Sequence, residues 1–123
     1  MGEVRTLVKL KNIKGIEEAV TVDAMVDTGA TLLVLPEAIF QQLNLDEVSK
    51  GEVEFGNGEK QEVKIAGYIE VEILGRKSVF DCAVVGNEVL IGQIILERLD
   101  LLIDPRRQQL IPRKTEILSF KIK

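Results

Sequence analysis

Apolar and acidic residues alternate from Ile69 to Ile73, with Ile69, Val71 and Ile73 on one side and Glu70 and Glu72 on the other. A period of two marks a strand buried on one face. Thr6, Val8 and Leu10 are set apart from Leu7 and Lys9 in the same way, so half-buried antiparallel strands should dominate. Valine and isoleucine supply 27 of the 123 residues; both lose side-chain freedom in a helix and pack well on a pleated surface. Turn signals fall at Asn12 to Gly15, Gly56-Asn57-Gly58, Gly75-Arg76-Lys77, Gly86-Asn87 and Pro105 to Gln109. Their spacing suits a meander or a small barrel, and the expected class is all-β.

Two stretches break the alternation. Pro36 at a first-turn position, followed by Glu37 with Ile39, Phe40 and Leu43 on one side, reads as two turns of helix. Gln93 to Asp100 places Ile95, Leu96 and Leu99 on one face, and extended structure should resume at Leu101-Leu102-Ile103. No linker or low-complexity segment interrupts residues 1–123, which are expected to form a single domain. The tail from Arg113 to Lys123 alternates weakly and reads as an edge strand or a segment that needs a partner. A faint echo links Ala24 to Gly29 with Val89 to Gly92: apolar residues run into a glycine ahead of a short helix.

Composition narrows the chemistry. With no His and one Cys, the ordinary zinc sites lack ligands, and a Ser or Cys nucleophile has no imidazole base. No metal or cofactor is expected. A formal charge of -4 argues against nucleic acid, whose nonspecific affinity comes mostly from Lys and Arg. Apolar runs are only a few residues long, so no membrane span is expected, and one unpaired Cys fits a reducing, cytoplasmic setting. What survives is carboxylate chemistry, backbone binding or a purely structural role.

Asp27 follows the apolar run Ala24-Met25-Val26 and precedes Thr28, Gly29 and Ala30. Dry surroundings are expected for it, where burial disfavours the charged form, so such an Asp needs donors or a functional reason. Gly29 would let backbone approach and donate N–H groups. Taken alone, the tripeptide reads equally well as a strand-ending turn capped by Asp. Cys82 reads as an inert buried thiol, Arg106-Arg107 as a charged turn, and Glu62, Glu70 and Glu72 as a solvated strand face.

Other motifs stand around Asp27 in order. Val26-Asp27-Thr28-Gly29-Ala30-Thr31 resembles the catalytic loop of the retropepsin-like aspartic proteases, and Leu90-Ile91-Gly92 is similar to their second signature. The segment from Glu52 to Lys64, centred on Gly56-Asn57-Gly58, lies where that family carries its flap. The run Leu99 to Pro105 with Leu110-Ile111 resembles the ending of stand-alone microbial members. The likeness spans roughly residues 4 to 112.

The resemblance implies a small closed β-barrel with one or two short helices, and an aspartic endopeptidase. In it Asp27 is the catalytic carboxylate, Thr28 bonds across to its counterpart, and Gly29 admits substrate backbone. The motif occurs once, so the second carboxylate must come from a second chain, making a homodimer whose two Asp27 share a proton. An extended polypeptide would bind as a strand, with Ala30, Leu32, Phe55, Leu90 and Ile91 as pocket walls beside Gly92, or as plain core. Gly56, Asn57 and Gly58 suit a mobile flap tip or simply a hairpin turn. The competing class is a noncatalytic peptide-binding or dimerisation module of the same fold. Viral members carry Asp and Arg where this chain has Thr31 and Gln93, and a Thr31–Gln93 hydrogen bond could replace that pair.

Overall fold

The computed structural model describes residues 3–113. Among the described residues nine strands and two short helices follow one another as β1 (Val4–Asn12), β2 (Val20–Val26), β3 (Leu33–Leu35), α1 (Glu37–Gln42), β4 (Asp46–Glu54), β5 (Lys60–Ile73), β6 (Arg76–Val84), β7 (Leu90–Ile91), α2 (Gln93–Leu99), β8 (Leu101–Asp104) and β9 (Gln109–Pro112). The strands β1-β2-β7-β3-β6-β5 form a ring that closes through β1–β5 pairing, which makes a barrel of six strands with β4 attached outside it to β5. Closure removes the free edges that a flat sheet would present. The all-β, closed-barrel expectation therefore holds.

The alternating stretches fold as read. Val8, Leu10, Ile69, Val71 and Ile73 are buried, while Leu7 and Lys9 are exposed. Leu33, Leu35, Leu43, Ile91 and Ile95 join them in the core, and each such side chain contributes about 1.5–3 kcal/mol by leaving water. Glu70 and Glu72 stand opposite Lys11 and Lys9 across the β1–β5 pairing, and Glu62 lies 3.6 Å from Lys50, so these acids serve a charged strand face. Asp104 Oδ1 accepts from the amides of Arg106 and Arg107, which makes the double arginine part of a turn.

Several expectations need correction. Antiparallel pairings dominate as expected, but β2 pairs with β7 and β3 with β6 in parallel, which rules out the meander alternative in favour of the barrel. Pro36 is the N-cap of α1, not its first residue: its ψ of 157° keeps it extended, while its carbonyl accepts from Ile39 and Phe40. The β5–β6 turn falls at Leu74 and Gly75, with φ of 51° and 79°, and Arg76 and Lys77 already belong to β6. Positive φ at both positions suits the right-handed twist of a two-residue hairpin.

Asn12, read as turn chemistry, is also a buried bolt. Its Nδ2 donates to the carbonyls of Leu43 and Asn44 at 3.0 and 3.1 Å, and its Oδ1 accepts from the Lys14 amide. The end of β1 is thereby tied to the end of α1. The tail beyond Arg113, read as an edge strand or a partner-seeking segment, lies outside the described residues.

Candidate active site

The faint echo in the sequence is a physical pairing. Met25 lies opposite Leu90 and Val26 opposite Ile91 in the parallel β2–β7 contact, so both apolar runs reach the same end of the barrel. The Met25 and Asp27 amides donate to the carbonyls of Val89 and Ile91, each at 3.0 Å. Asp27 thus starts from a pinned backbone.

Beyond Asp27 the chain turns tightly. The Ala30 amide donates to the Asp27 carbonyl at 3.0 Å, and the Gly29 amide donates to Asp27 Oδ1 at 2.9 Å. This fixes one carboxylate oxygen and leaves Oδ2 without a hydrogen-bond partner among the described residues. The loop then seats α2: the Gln93 and Ile94 amides donate to Ala30 and Thr31 carbonyls at 2.9 and 3.1 Å. First-turn amides have no partner within their own helix, so the loop completes α2 as α2 braces the loop.

Gly92 explains why that contact is possible. A Cβ there would stand 2.4 Å from the Leu32 carbonyl oxygen and 2.8 Å from that of Ala30, distances no side chain tolerates. At Gly29 a Cβ would meet only Asp27 Oδ1, at 3.2 Å. The first glycine is demanded by packing and the second by the carboxylate beside it.

A cleft of about 750 Å³ opens over the loop. Asp27, Gly29, Ala30, Leu32, Phe55, Gly56 and Leu90 line it, together with Met25, Val34, Val53, Ala83 and Val85. One wall is the β4–β5 hairpin, paired up to Glu54↔Lys60 and closed by Phe55 N to Glu59 O at 2.8 Å and Gly58 N to Phe55 O at 2.9 Å. Gly58 has φ of 87°, a value that suits glycine, and Asn57 Oδ1 accepts from the Glu59 amide.

The expected site residues therefore divide. Asn57 and Gly58 form the hairpin tip and do not line the cleft; Ile91 and Gly92 are buried beneath it. Thr28 lines a separate hollow of about 430 Å³ with Gln93, Leu96, Glu97 and the start of β8. Sequence reasoning missed Glu52, Glu54 and Glu88, which line the cleft; no local pattern distinguishes them from other surface acids.

Two further expectations fail. In the single chain the Asp27 loop is less enclosed than expected: Asp27 is half-buried and Thr28 and Gly29 are exposed, because β2 ends at Val26 and the loop projects from the barrel end. Thr31 and Gln93 share no side-chain hydrogen bond; Gln93 Nε2 instead donates to Glu97 Oε1 at 3.3 Å, and backbone bonds hold the two segments together. Cys82 is buried with Sγ 3.6 Å from the Ala66 carbonyl, and desolvation pushes its thiol up to about 12. It is an inert core thiol.

A closed barrel carrying one Asp-Thr-Gly loop beneath a hairpin-walled cleft defines a small domain of the acid-protease type. The family model described as "gag-polyprotein putative aspartyl protease" matches residues 14–98, a narrower span than the motifs suggested but one that holds the Asp27 loop, the hairpin and the Gly92 turn. No curated protein matches the sequence. The chain belongs to the retropepsin-like aspartic protease family. No helix among the described residues is long and apolar enough to cross a membrane.

Proposed function

We propose that this protein is an aspartic endopeptidase that works as a homodimer, with Asp27 of each chain forming the catalytic pair. The observation that carries the reading is the placement of Asp27, anchored through Gly29, on a cleft whose opposite wall is the β4–β5 hairpin. Amide hydrolysis needs one carboxylate to take a proton from water and another to give one to the carbonyl oxygen. The Asp-Thr-Gly motif occurs once in the chain, so a two-fold axis beside Asp27 is the economical source of the second.

In such a pair the two Asp27 hold a single proton, since like charges this close do not ionise together. The ionised member accepts a proton from water as its oxygen attacks the peptide carbonyl, and the protonated member gives its proton to the carbonyl oxygen. Collapse of the tetrahedral diol breaks the C–N bond: one hydroxyl returns its proton to the dyad as the carbonyl re-forms, and the leaving nitrogen takes the dyad's other proton, which restores the singly protonated pair. Turnover falls on both sides of a pH window, as either acid or base loses its required state. Thr28, exposed next to Asp27, is free to bond its counterpart, and the hairpin acts as the flap over an extended polypeptide.

Peptide digestion by wild-type protein and by Asp27→Asn, with sedimentation of both, tests this. Cleavage that disappears in the variant while the dimer persists supports the reading, as does inhibition by a statine peptide whose hydroxyl replaces the attacking water. A dimer that binds peptide without ever cutting it would make the protein a binding module.

A further inference from the structure

The hollow beside Thr28 has a direction. Its α2 wall consists of Gln93, Leu96, Glu97 and Asp100, spaced i, i+3, i+4 and i+7, which lays all four along one stripe of the helix. The stripe leads from Asp100 back to the first turn of α2, where the Asp27 loop is seated by backbone bonds and Thr28 closes the hollow. Leu101, Leu102 and Ile103 of β8 form the other wall. Leu102 is 46% exposed, a large apolar side chain standing open beside the stripe.

The chain leaves β9 at the head of this stripe. Arg113 lines the hollow; its amide donates to the Asp100 carbonyl at 3.0 Å and its Nε to Asp100 Oδ1 at 2.7 Å. The Arg113 carbonyl accepts from Arg76 Nη2 at 2.8 Å, while Arg76 Nη1 holds the carbonyls of Leu99 and Asp100 at 3.1 and 2.6 Å. The point from which residues 114–123 depart is therefore fixed against the C-terminal end of α2.

That segment suits the hollow in pattern, reach and charge. Written as a strand, it sets Leu118, Phe120 and Ile122 on one side and Ser119, Lys121 and Lys123 on the other. The run from Asp100 back to Gln93 is about 10 Å of helix, whereas residues 114–123 span about 33 Å when extended. The segment holds three lysines and one glutamate, and Glu97 adds an exposed carboxylate to the stripe.

We propose that residues 114–123 dock in cis in this hollow, running back along the α2 stripe with the Leu118, Phe120 and Ile122 side turned to Leu102 and Ile103. The segment becomes a strap on the flank of the Asp27 loop. Its tether begins at the rim of its own seat, so its effective concentration there is high and favours its own chain over a second copy. The inference goes beyond the peptidase reading and does not draw on it.

Disulfide trapping in the full chain tests this. Glu97→Cys is combined with Leu118→Cys or Phe120→Cys, and the products of mild oxidation are separated by denaturing electrophoresis without reductant. Lys77→Cys serves as the control, since it is exposed and adjoins Arg76, the residue that holds the Arg113 carbonyl. The native Cys82 is fully buried and takes no part. A disulfide closes only when the two Cα atoms come within about 7 Å. Glu97→Cys should therefore form the internal link about tenfold faster than Lys77→Cys with the same tail cysteine. Adding Leu102→Ser, at a position the core does not use, should slow that closure about fivefold by removing apolar cover.

Equal rates from Glu97→Cys and Lys77→Cys would describe a segment that samples both places alike, and would overturn the docking. Disulfide-linked dimers in place of internal links would give the hollow to a second copy's tail and overturn the cis assignment. A rate unmoved by Leu102→Ser would overturn the apolar contact on which the proposal is built.

Discussion

The Asp27 loop and the Gly92 turn are built from the same short pattern and end as opposites. Both bring an apolar run to one end of the barrel and finish in glycine, and their strands pair in parallel at Met25↔Leu90 and Val26↔Ile91. One faces solvent and presents a carboxylate; the other is buried and presents nothing but room. The helices that follow differ likewise. α2 buries Ile95, Leu96 and Leu99, whereas α1 has no fully buried residue and leans on Lys64, whose Nζ lies 2.6 Å from Glu37 Oε1 and 4.4 Å from the Phe40 ring centre. The Asp27 carboxylate stands on the more exposed side, and backbone bonds from the packed side hold its loop in place.

That contrast breaks most sharply at the carboxylate itself. Asp27→Asn should lower peptide cleavage by about a thousandfold or more, as loss of an essential acid–base group does. Its melting temperature should stay within a few degrees of wild type, because the Gly29 amide still has an oxygen to donate to; a collapsed melt would show that Asp27 is structural. Gly92→Ala is expected to do the reverse, destabilising the fold by about 3 kcal/mol or more through overlap with backbone carbonyls that cannot swing aside. Chemical denaturation measures it, and a neutral result would remove the packing account of this glycine.

Gly29→Ala sharpens the comparison. Its Cβ would crowd only Asp27 Oδ1, so the protein should fold with near-normal stability while kcat falls about tenfold from a displaced carboxylate. Equal losses of stability at Gly29 and Gly92 would erase the distinction between them. The smallest effect concerns α1. The hydrogen bond from Lys64 holds the Glu37 carboxyl below its usual range. A lowered folded-state value means that the contribution is present above the unfolded value and is lost as pH falls through the folded one. Lys64→Met should therefore flatten a slight acid-side loss of thermal stability, and an unchanged pH profile would remove that tie.

Much of this was legible because the signals are local. The alternation at Ile69 to Ile73 reports burial directly, the Asn-Gly tip marks its own hairpin, and the Asp27 and Gly92 motifs are contiguous. The parallel β2–β7 and β3–β6 pairings were not, since they join residues far apart along the chain whose local pattern is the same in either orientation. Asn12 shows the limit within a single residue: its turn chemistry is visible, while the carbonyls of Leu43 and Asn44 that it bolts down come from across the fold. The exposure of the Asp27 loop in the single chain was also hidden, because apolar neighbours in sequence line the strand below it and not the space above. The Arg5–Glu88 ion pair carries no local sequence signal either, since Arg5 arrives from β1.

The pairing of two Asp27 side chains is tested most directly by mixing subunits. Wild-type protein is folded together with increasing proportions of Asp27→Asn at constant total concentration, and cleavage is measured per wild-type chain. If each dimer needs an Asp27 from both members, that activity falls in direct proportion to the wild-type fraction, because mixed dimers are dead. Activity per wild-type chain that stays constant at every proportion would mean that one chain suffices, and would contradict the shared carboxylate pair.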